Sequence, residues 1–235
     1  MPVLKFFGHA SFKLSSPKVS VLLDPGYFEG RPLVGENEKV NVICVTHNHP
    51  DHLGNAAKIA ASQKAFVVGA SEVIEKLKVE GAPEWLLRPL NPGESFVRPE
   101  IKVTAIDLKH GPPKSPSPIQ HLAFLVELGK VKLVHLGDAG TRGLLGQYQI
   151  DVLLIGVDET ETFPPVQALQ AVSDLKPKMA IPMHVRKKEE LDYFEEHFSL
   201  MAPEVKYKRM NAGEEIIVEW AAGTEFTFKP LPREA

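Results

Sequence analysis

The sequence predicts an α/β fold in which helices cover the outer faces of two β-sheets. Strand-like runs open the chain and return near its end, and strand and helix patterns alternate between them. This order is typical of layered sheets with helices outside. The 235 residues suffice for one large core, so we expect a single domain over residues 1–235.

The predicted strands are short apolar runs bounded by glycine, proline or polar residues. Gly8 and the pair Ser16-Pro17 separate the first three, and a looser segment rich in Gly and Pro follows them. Two neighbouring runs are expected to form a hairpin that turns at Gly129-Lys130. The expected strands cover residues 3–7, 11–14, 19–23, 42–45, 65–68, 101–106, 122–128, 131–136, 152–155 and 179–181, with further strand-like runs over residues 205–228.

Four helices are expected among these strands. Residues 55–62 are rich in alanine, and Ser71 is expected to cap a helix whose apolar residues share one face. Pro165 suits the first turn of a helix that ends at Leu175, because a backbone N–H is not needed there. The last helix is expected over residues 189–198.

Charge and composition argue against several classes of protein. The net charge of -3 offers no general basic surface for a phosphate backbone, so nucleic acid is not an expected partner. The single cysteine, Cys44, cannot form an internal disulfide and is expected to be a small buried residue. The chain opens without a signal-peptide pattern, and no apolar run approaches the ~20 residues of a membrane span. We therefore expect a cytoplasmic protein without a membrane partner.

A dense set of metal-binding residue types follows the predicted strand 42–45. His47, His49, Asp51 and His52 place four such side chains within six positions. In an extended chain, residues two apart point to the same side, so His47 and His49 can reach one cation together. If the chain turns after them, Asp51 and His52 can face a second cation. Imidazole and carboxylate groups bind zinc and similar ions, which favours a metal site over a polar turn that merely contains histidines.

Three more candidate ligands follow separate predicted strands. Each comes within a few residues of the end of an apolar run. A single histidine after a strand is more often a surface or capping residue, but three candidates in equivalent positions form a pattern. They are His110, Asp138 and His184.

The order His-x-His-x-Asp-His, then His, Asp and His, resembles the metallo-β-lactamase superfamily of metallohydrolases. Three other segments look more like its branch of uncharacterised metal-dependent hydrolases, which is similar to the L-ascorbate-6-phosphate lactonases. These segments are Gly8-His9-Ala10-Ser11-Phe12, Leu23-Asp24-Pro25 and Ile181-Pro182-Met183-His184. The resemblance extends from residue 3 to residue 185 and implies a four-layer αββα sandwich, in which two mixed β-sheets have helices on their outer faces.

The resemblance also implies two divalent metal ions. Zinc or manganese is the expected metal, and nickel or iron would suit the same donors. Two ions about 3.5–4 Å apart can share a hydroxide that attacks a substrate bond. Asp51 or Asp138 could then shuttle the proton. By position, the ligands are His47, His49 and His110 for the first ion, Asp51, His52 and His184 for the second, and Asp138 as the bridge.

Further polar residues are candidates for the surroundings of the metals. Asp24 can orient a ligand histidine, although it can equally form a turn before proline. His9 can line the pocket, although a core or capping role is as good an interpretation. Residues 158–161 can add negative charge at the rim or form a solvated acidic turn. The remaining internal histidines are expected to be structural, namely His121, His135 and His197.

Three functions are compatible with these residues. The leading hypothesis is a metallohydrolase that cleaves an ester, lactone, amide or phosphoester bond of a small-molecule substrate. The first alternative is a metal-dependent nuclease or phosphodiesterase, which a basic groove and salt-dependent binding would favour. The second is a non-catalytic metal-binding domain, which would retain metal without turnover. Self-association into a homo-oligomer is left open by the sequence.

Overall fold

The computed structural model describes residues 1–221 and 225–231, and β-strands form most of its regular structure. Five α-helices accompany them in these residues, α1 (Pro50–Leu53), α2 (Ala56–Gln63), α3 (Ser71–Val79), α4 (Pro165–Leu175) and α5 (Lys188–Met201). The strands are β1 (Val3–Gly8), β2 (Ser11–Ser15), β3 (Ser20–Leu23), β4 (Tyr27–Phe28), β5 (Arg31–Pro32), β6 (Val42–Val45), β7 (Phe66–Gly69), β8 (Leu87–Pro89), β9 (Ser95–Arg98), β10 (Ile101–Asp107), β11 (Leu122–Leu128), β12 (Val131–His135), β13 (Val152–Gly156), β14 (Met179–Met183), β15 (Lys206–Tyr207), β16 (Glu215–Ala221) and β17 (Glu225–Pro230).

Both large sheets combine an antiparallel half with a parallel half. The first has the strand order β17-β16-β1-β2-β3-β6-β7-β8 and is parallel from β3 to β8. The second has the order β15-β14-β13-β12-β11-β10-β9 and is parallel from β12 to β15. Because the carboxyl ends of parallel strands share one edge of a sheet, the loops after β6, β12 and β14 can meet there.

Apolar residues from facing strands fill the space between the two sheets. Phe12 of the first sheet and Phe124 of the second belong to this shared core. Helices α2 and α3 pack on the outer face of the first sheet, and α4 and α5 cover the outer face of the second. The layer order is therefore αββα, as predicted.

Several predicted elements agree closely with the structure, and some short ones were missed. Helix α4 begins at Pro165 and ends at Leu175, and β11 and β12 form the predicted antiparallel hairpin. The prediction for Ser71 was wrong, because α3 begins at Ser71 and Ala70 occupies the cap position without a side-chain hydrogen bond. The sequence-based prediction did not include α1, the β4–β5 hairpin or the edge strands β8 and β9. Each has only two to four residues, too few to show a hydrophobic period.

Cys44 lies buried in β6, as predicted. Burial raises the pKa of its thiol well above the ordinary value, which makes it an unreactive core residue. Within residues 1–221 and 225–231, no helix has the length and apolar character needed to cross a membrane.

Replacement of Phe12 by alanine is expected to lower the free energy of unfolding by about 3–5 kcal/mol, because it removes a fully buried ring from the inter-sheet core. The Phe12 ring stacks on Phe6 with centroids 4.5 Å apart. Chemical denaturation measures the change. Val97→Ala, at an exposed position on β9, is the control and should change stability by no more than about 0.5 kcal/mol. Equal stability of the two variants would contradict the assignment of Phe12 to the core.

Candidate metal centre

Four polar side chains reach the edge of the sandwich through one short connection after β6. His47 and His49 lie in the segment between β6 and α1, and His49 has the extended backbone of a helix N-cap. Asp51 and His52 follow in the single turn of α1, whose first residue is Pro50. The tight local packing requires glycine nearby, because a Cβ at residue 26 would overlap the backbone of residue 51.

The other sequence-predicted candidates reach the same place from separate strands. His110 follows β10, Asp138 follows β12 and His184 follows β14. The structure brings all of them together with the side chains after β6, in two groups whose donor atoms lie within 4.8 Å of one another.

The first group, which we call the first cluster, contains His47, His49, His110 and Asp138. The Nε2 atoms of His47 and His110 lie 3.2 Å apart. Asp138 Oδ2 lies 3.7 Å from His47 Nε2 and 3.6 Å from His110 Nε2. Three imidazoles thus surround one face of a buried carboxylate.

The second group, the second cluster, contains His9, Asp51, His52 and His184. The other oxygen of Asp138, Oδ1, lies 3.0 Å from His52 Nε2 and 3.3 Å from His184 Nε2. Asp51 Oδ2 lies 3.1 Å from His9 Nε2 and 3.7 Å from His184 Nε2. Asp138 therefore presents one oxygen to each cluster.

Several buried atoms at this junction face one another without a hydrogen bond among the described residues. They include His52 Nε2, His184 Nε2 and both carboxylate oxygens of Asp138. His52 Nε2 and His184 Nε2 lie 3.0 and 3.3 Å from Asp138 Oδ1, so the three groups converge on one place and interact through charge. A divalent cation accepts lone pairs from imidazole nitrogen and carboxylate oxygen together, so these donors fit metal ions.

Burial and neighbouring charges set the protonation of the clusters. Burial is the largest influence on His47 and His110 and lowers both pKa values, which leaves the neutral imidazoles that metals bind. Burial is also the largest single influence on His52 and His184 and opposes their charge, but neighbouring carboxylates together outweigh it. Asp138 and Asp24 raise the pKa of His52, and Asp138 and Asp51 raise that of His184 to about 9. Although burial disfavours its ionisation, His52 and His184 hold the pKa of Asp138 well below the ordinary value.

Asp24 connects the end of β3 to both the segment after β6 and α1. Its Oδ1 accepts the backbone N–H of Thr46 at 2.8 Å, and its Oδ2 accepts the Thr46 hydroxyl at 2.7 Å. Oδ2 also accepts His52 Nδ1–H at 2.6 Å, so that His52 Nε2 points toward Asp138. Asp24 thus lies in the position to orient a donor histidine.

Two histidines that the sequence left as structural border the clusters. His121 Nδ1 donates to the Leu108 carbonyl, and its ring lies 5.4 Å from that of His47. His135 Nε2 donates to the Ala10 carbonyl at 2.8 Å. Burial lowers the pKa of both, so they are neutral side chains that support the loops.

Arg186 and the acidic segment after β13 form the rim of the second cluster. The Arg186 guanidinium lies 2.6 Å from Glu161 Oε2 and 3.4 Å from Asp51 Oδ2. Glu161 Oε2 lies 3.7 Å from His184 Nε2, so part of the segment 158–161 does face the site. Arg186 could not be recognised from the sequence, because a lone arginine after a strand resembles any surface cation.

The chain is similar to known proteins over most of its length. A family described as "Beta-lactamase superfamily domain" matches residues 3–184. A UPF0173 metal-dependent hydrolase of Desulforamulus reducens is 34% identical over 193 residues, which are 77% of this chain and 83% of that protein.

Solved structures show the same fold at lower identity. Igni18, a metallo hydrolase of the archaeon Ignicoccus hospitalis, is 22% identical with a TM-score of 0.74 and covers 91% of this chain and 97% of its own. The metallo-β-lactamase fold protein YhfI of Bacillus subtilis is 12% identical with a TM-score of 0.73 and covers 92% of this chain and 99% of its own. These likenesses confirm the predicted metallo-β-lactamase type of sandwich.

Asp24→Asn is expected to lower metal affinity about 10–100-fold, because it disrupts the hydrogen bond that orients His52. Asparagine suits the backbone at this position, where φ is 45°. Titration calorimetry of chelator-treated protein with Zn²⁺ measures the effect. Asp151→Asn, a buried aspartate bonded to Lys132 and Trp220, is the matched control and should leave the affinity unchanged. Equal affinities for both variants would show that Asp24 does not orient the site.

Metal binding is expected to release protons, so that the apparent affinity rises with pH up to about 9. The raised pKa values mean that His184 and His52 carry a proton at neutral pH in the metal-free protein and lose it when a metal binds. Calorimetric titrations at pH 7 in two buffers with different heats of ionisation count the protons. A binding heat that is independent of the buffer would contradict this expectation.

Proposed function

This chain belongs to the β-lactamase superfamily and to the UPF0173 metal-dependent hydrolases, and from that premise we propose that it hydrolyses a small molecule at a centre of two metal ions. The observation that carries the two-metal proposal is the position of Asp138, whose Oδ2 faces the first cluster and whose Oδ1 faces the second. A carboxylate in this position is suited to bridge two cations.

The proposed ligands follow the two clusters. Besides the bridging Asp138, the first ion would be held by imidazoles alone, and the second by one carboxylate and imidazoles. We propose zinc or manganese, and nickel or iron would suit the same donors. The assignment is His47, His49 and His110 for the first ion, Asp51, His52 and His184 for the second, and Asp138 between them.

When bound, two divalent ions would supply the Lewis acidity that hydrolysis of an ester, lactone, amide or phosphoester bond requires. The protein's own side chains define where this takes place. Asp138 keeps the two clusters in contact, and Asp24 fixes the tautomer of His52. The burial of these side chains excludes bulk water and strengthens the charge interactions between them.

Asp51 is the carboxylate that we propose as the proton shuttle. Its side chain is 22% exposed, whereas that of Asp138 is fully enclosed. A shuttle must exchange its proton with solvent or product, which the enclosed carboxylate cannot do directly. Although burial opposes its ionisation, hydrogen bonds from His184 and His9 hold the pKa of Asp51 well below the ordinary value, which keeps the ionised form that accepts a proton.

A cavity of about 500 Å³ borders the second cluster at His9 and His184. Its walls include the apolar side chains of Phe28 and Met210, and Arg186 lies at its edge. Cavities of this size accommodate small-molecule ligands. We propose that part of the substrate occupies this cavity while the bond to be cleaved lies at the metal centre.

Removal of metal by a chelator is expected to abolish hydrolysis of an ester, lactone, amide and phosphoester panel, and addition of Zn²⁺ or Mn²⁺ should restore it. His47→Ala and Asp138→Ala should each lower the rate at least about 100-fold, because loss of a ligand exceeds loss of an outer partner. Rates are measured after circular dichroism has verified the fold of each variant.

His197→Ala is the control, since this histidine bonds to the Tyr193 carbonyl on α5, outside both clusters. It should hydrolyse the panel at the wild-type rate. Full activity of His47→Ala or Asp138→Ala, or of protein shown by elemental analysis to be metal-free, would refute the proposed mechanism.

A further inference from the structure

His9 lies in the second cluster although the motif that follows β6 does not contain it. Its Nε2 atom belongs to the same group of donors as Asp51, His52 and His184. We propose that His9 is a further ligand of the second metal ion, which it binds through Nε2. This inference rests on the proposed two-metal function and assigns that site a fourth side chain besides the bridging Asp138.

The backbone holds His9 at the site independently of its side chain. His9 lies in the tight turn between β1 and β2, where Gly8 has φ of 120° and His9 itself φ of 52°. The His9 carbonyl accepts the backbone N–H of His184 at 2.9 Å, and the next carbonyl, of Ala10, accepts His135 Nε2–H. The turn of the first sheet is therefore tied to β12 and β14 of the second.

The His9 side chain is enclosed and directed at the other donors. It is 1% exposed, and its ring lies 4.0 Å from the ring of His184 and 4.9 Å from that of Phe28. Phe28, on the β4–β5 hairpin, stacks on the imidazole, so aromatic rings pack against His9 from two elements. Packing thus fixes a donor atom beside Asp51.

Donor separations in the second cluster match those of atoms that share one ion. Ligands at ~2.0–2.2 Å from a tetrahedral ion lie roughly 3.3–3.6 Å from each other, and nearer 3 Å at higher coordination number. His9 Nε2 lies 3.1 Å from Asp51 Oδ2, within the same range as the 3.0–3.7 Å separations between His52, His184 and the carboxylates.

The simpler interpretation is that His9 only donates a hydrogen bond to Asp51. His9 is one of three nitrogen neighbours of Asp51 Oδ2, since Arg186 Nη2 lies 3.4 Å and His184 Nε2 3.7 Å from the same oxygen. The two interpretations differ in what the second ion loses when the imidazole is replaced by another hydrogen-bond donor.

With His9 as a ligand, the two metal positions would differ in their number of protein donors. The first cluster offers three imidazoles and one oxygen of Asp138, whereas the second would offer five protein donors including the other oxygen. Catalytic metal sites keep an open position for substrate or water, while more complete donor sets anchor the ion. The second ion would thus have the more complete set of protein donors, and the first would have fewer.

The test is a Zn²⁺ titration of chelator-treated wild-type protein and of His9→Gln. Calorimetry measures the affinity of each site, and elemental analysis counts the bound ions. Glutamine places an amide N–H near the position of the imidazole Nε2, so it can still donate to Asp51 but is a poor metal ligand. We expect wild type to bind two ions and His9→Gln to bind one of the two at least about tenfold more weakly. The Co²⁺ absorption spectrum of the variant should change as well.

His197→Gln on α5 is the matched control and should bind as wild type does. Asparagine favours the positive φ of residue 9 but is too short to reach Asp51, so His9→Asn is a second variant judged by its Co²⁺ spectrum, which loss of the hydrogen bond alone should leave unchanged. Two ions bound within threefold of wild-type affinity in the folded His9 variant, with an unchanged Co²⁺ spectrum, would overturn the proposal for His9 alone. A wild-type protein that binds fewer than two ions would overturn the two-metal function, and the His9 proposal with it.

Discussion

The negative charge of one buried carboxylate must be balanced by its neighbours, and the end of the sandwich that holds the site depends on this balance. Asp138 has no exposed side-chain surface, and imidazoles of both clusters surround its two oxygens. An ionised carboxylate is costly to bury and persists only beside compensating charge. The loops that supply the compensation come from both sheets, so the closure of this end of the sandwich and its capacity to bind cations have a common physical origin.

A hydrogen-bond frame beneath the clusters holds the donors in place. Asp24 joins the end of β3 to Thr46 and His52, and His135 joins β12 to the turn between β1 and β2. These contacts are buried and cross between elements that are far apart in the chain. They convert flexible side chains into fixed donors, which is the condition for binding a metal ion with defined geometry.

Much of the fold and of the candidate site could be predicted because their signals are local. The αββα layers follow from short apolar runs that alternate with helical patterns, and α4 follows from Pro165 and its apolar face. The seven proposed ligands follow strand ends, and the structure brings all seven together. The short elements and Arg186 could not be predicted, because two to four residues or a single surface cation carry no periodic signal.

The sequence by itself determined the chemical types at the site, since four imidazole and carboxylate side chains within six positions, with three more after separate strands, favour a metal site over isolated surface or capping roles. Only the tertiary structure decided how these donors divide into two clusters, and that Asp138 faces both. It also decided the surroundings, placing His9 against Asp51 and making Asp24 the partner of His52. Such contacts join residues 28 to 42 positions apart, and their distances depend on packing between sheets, which no local pattern encodes.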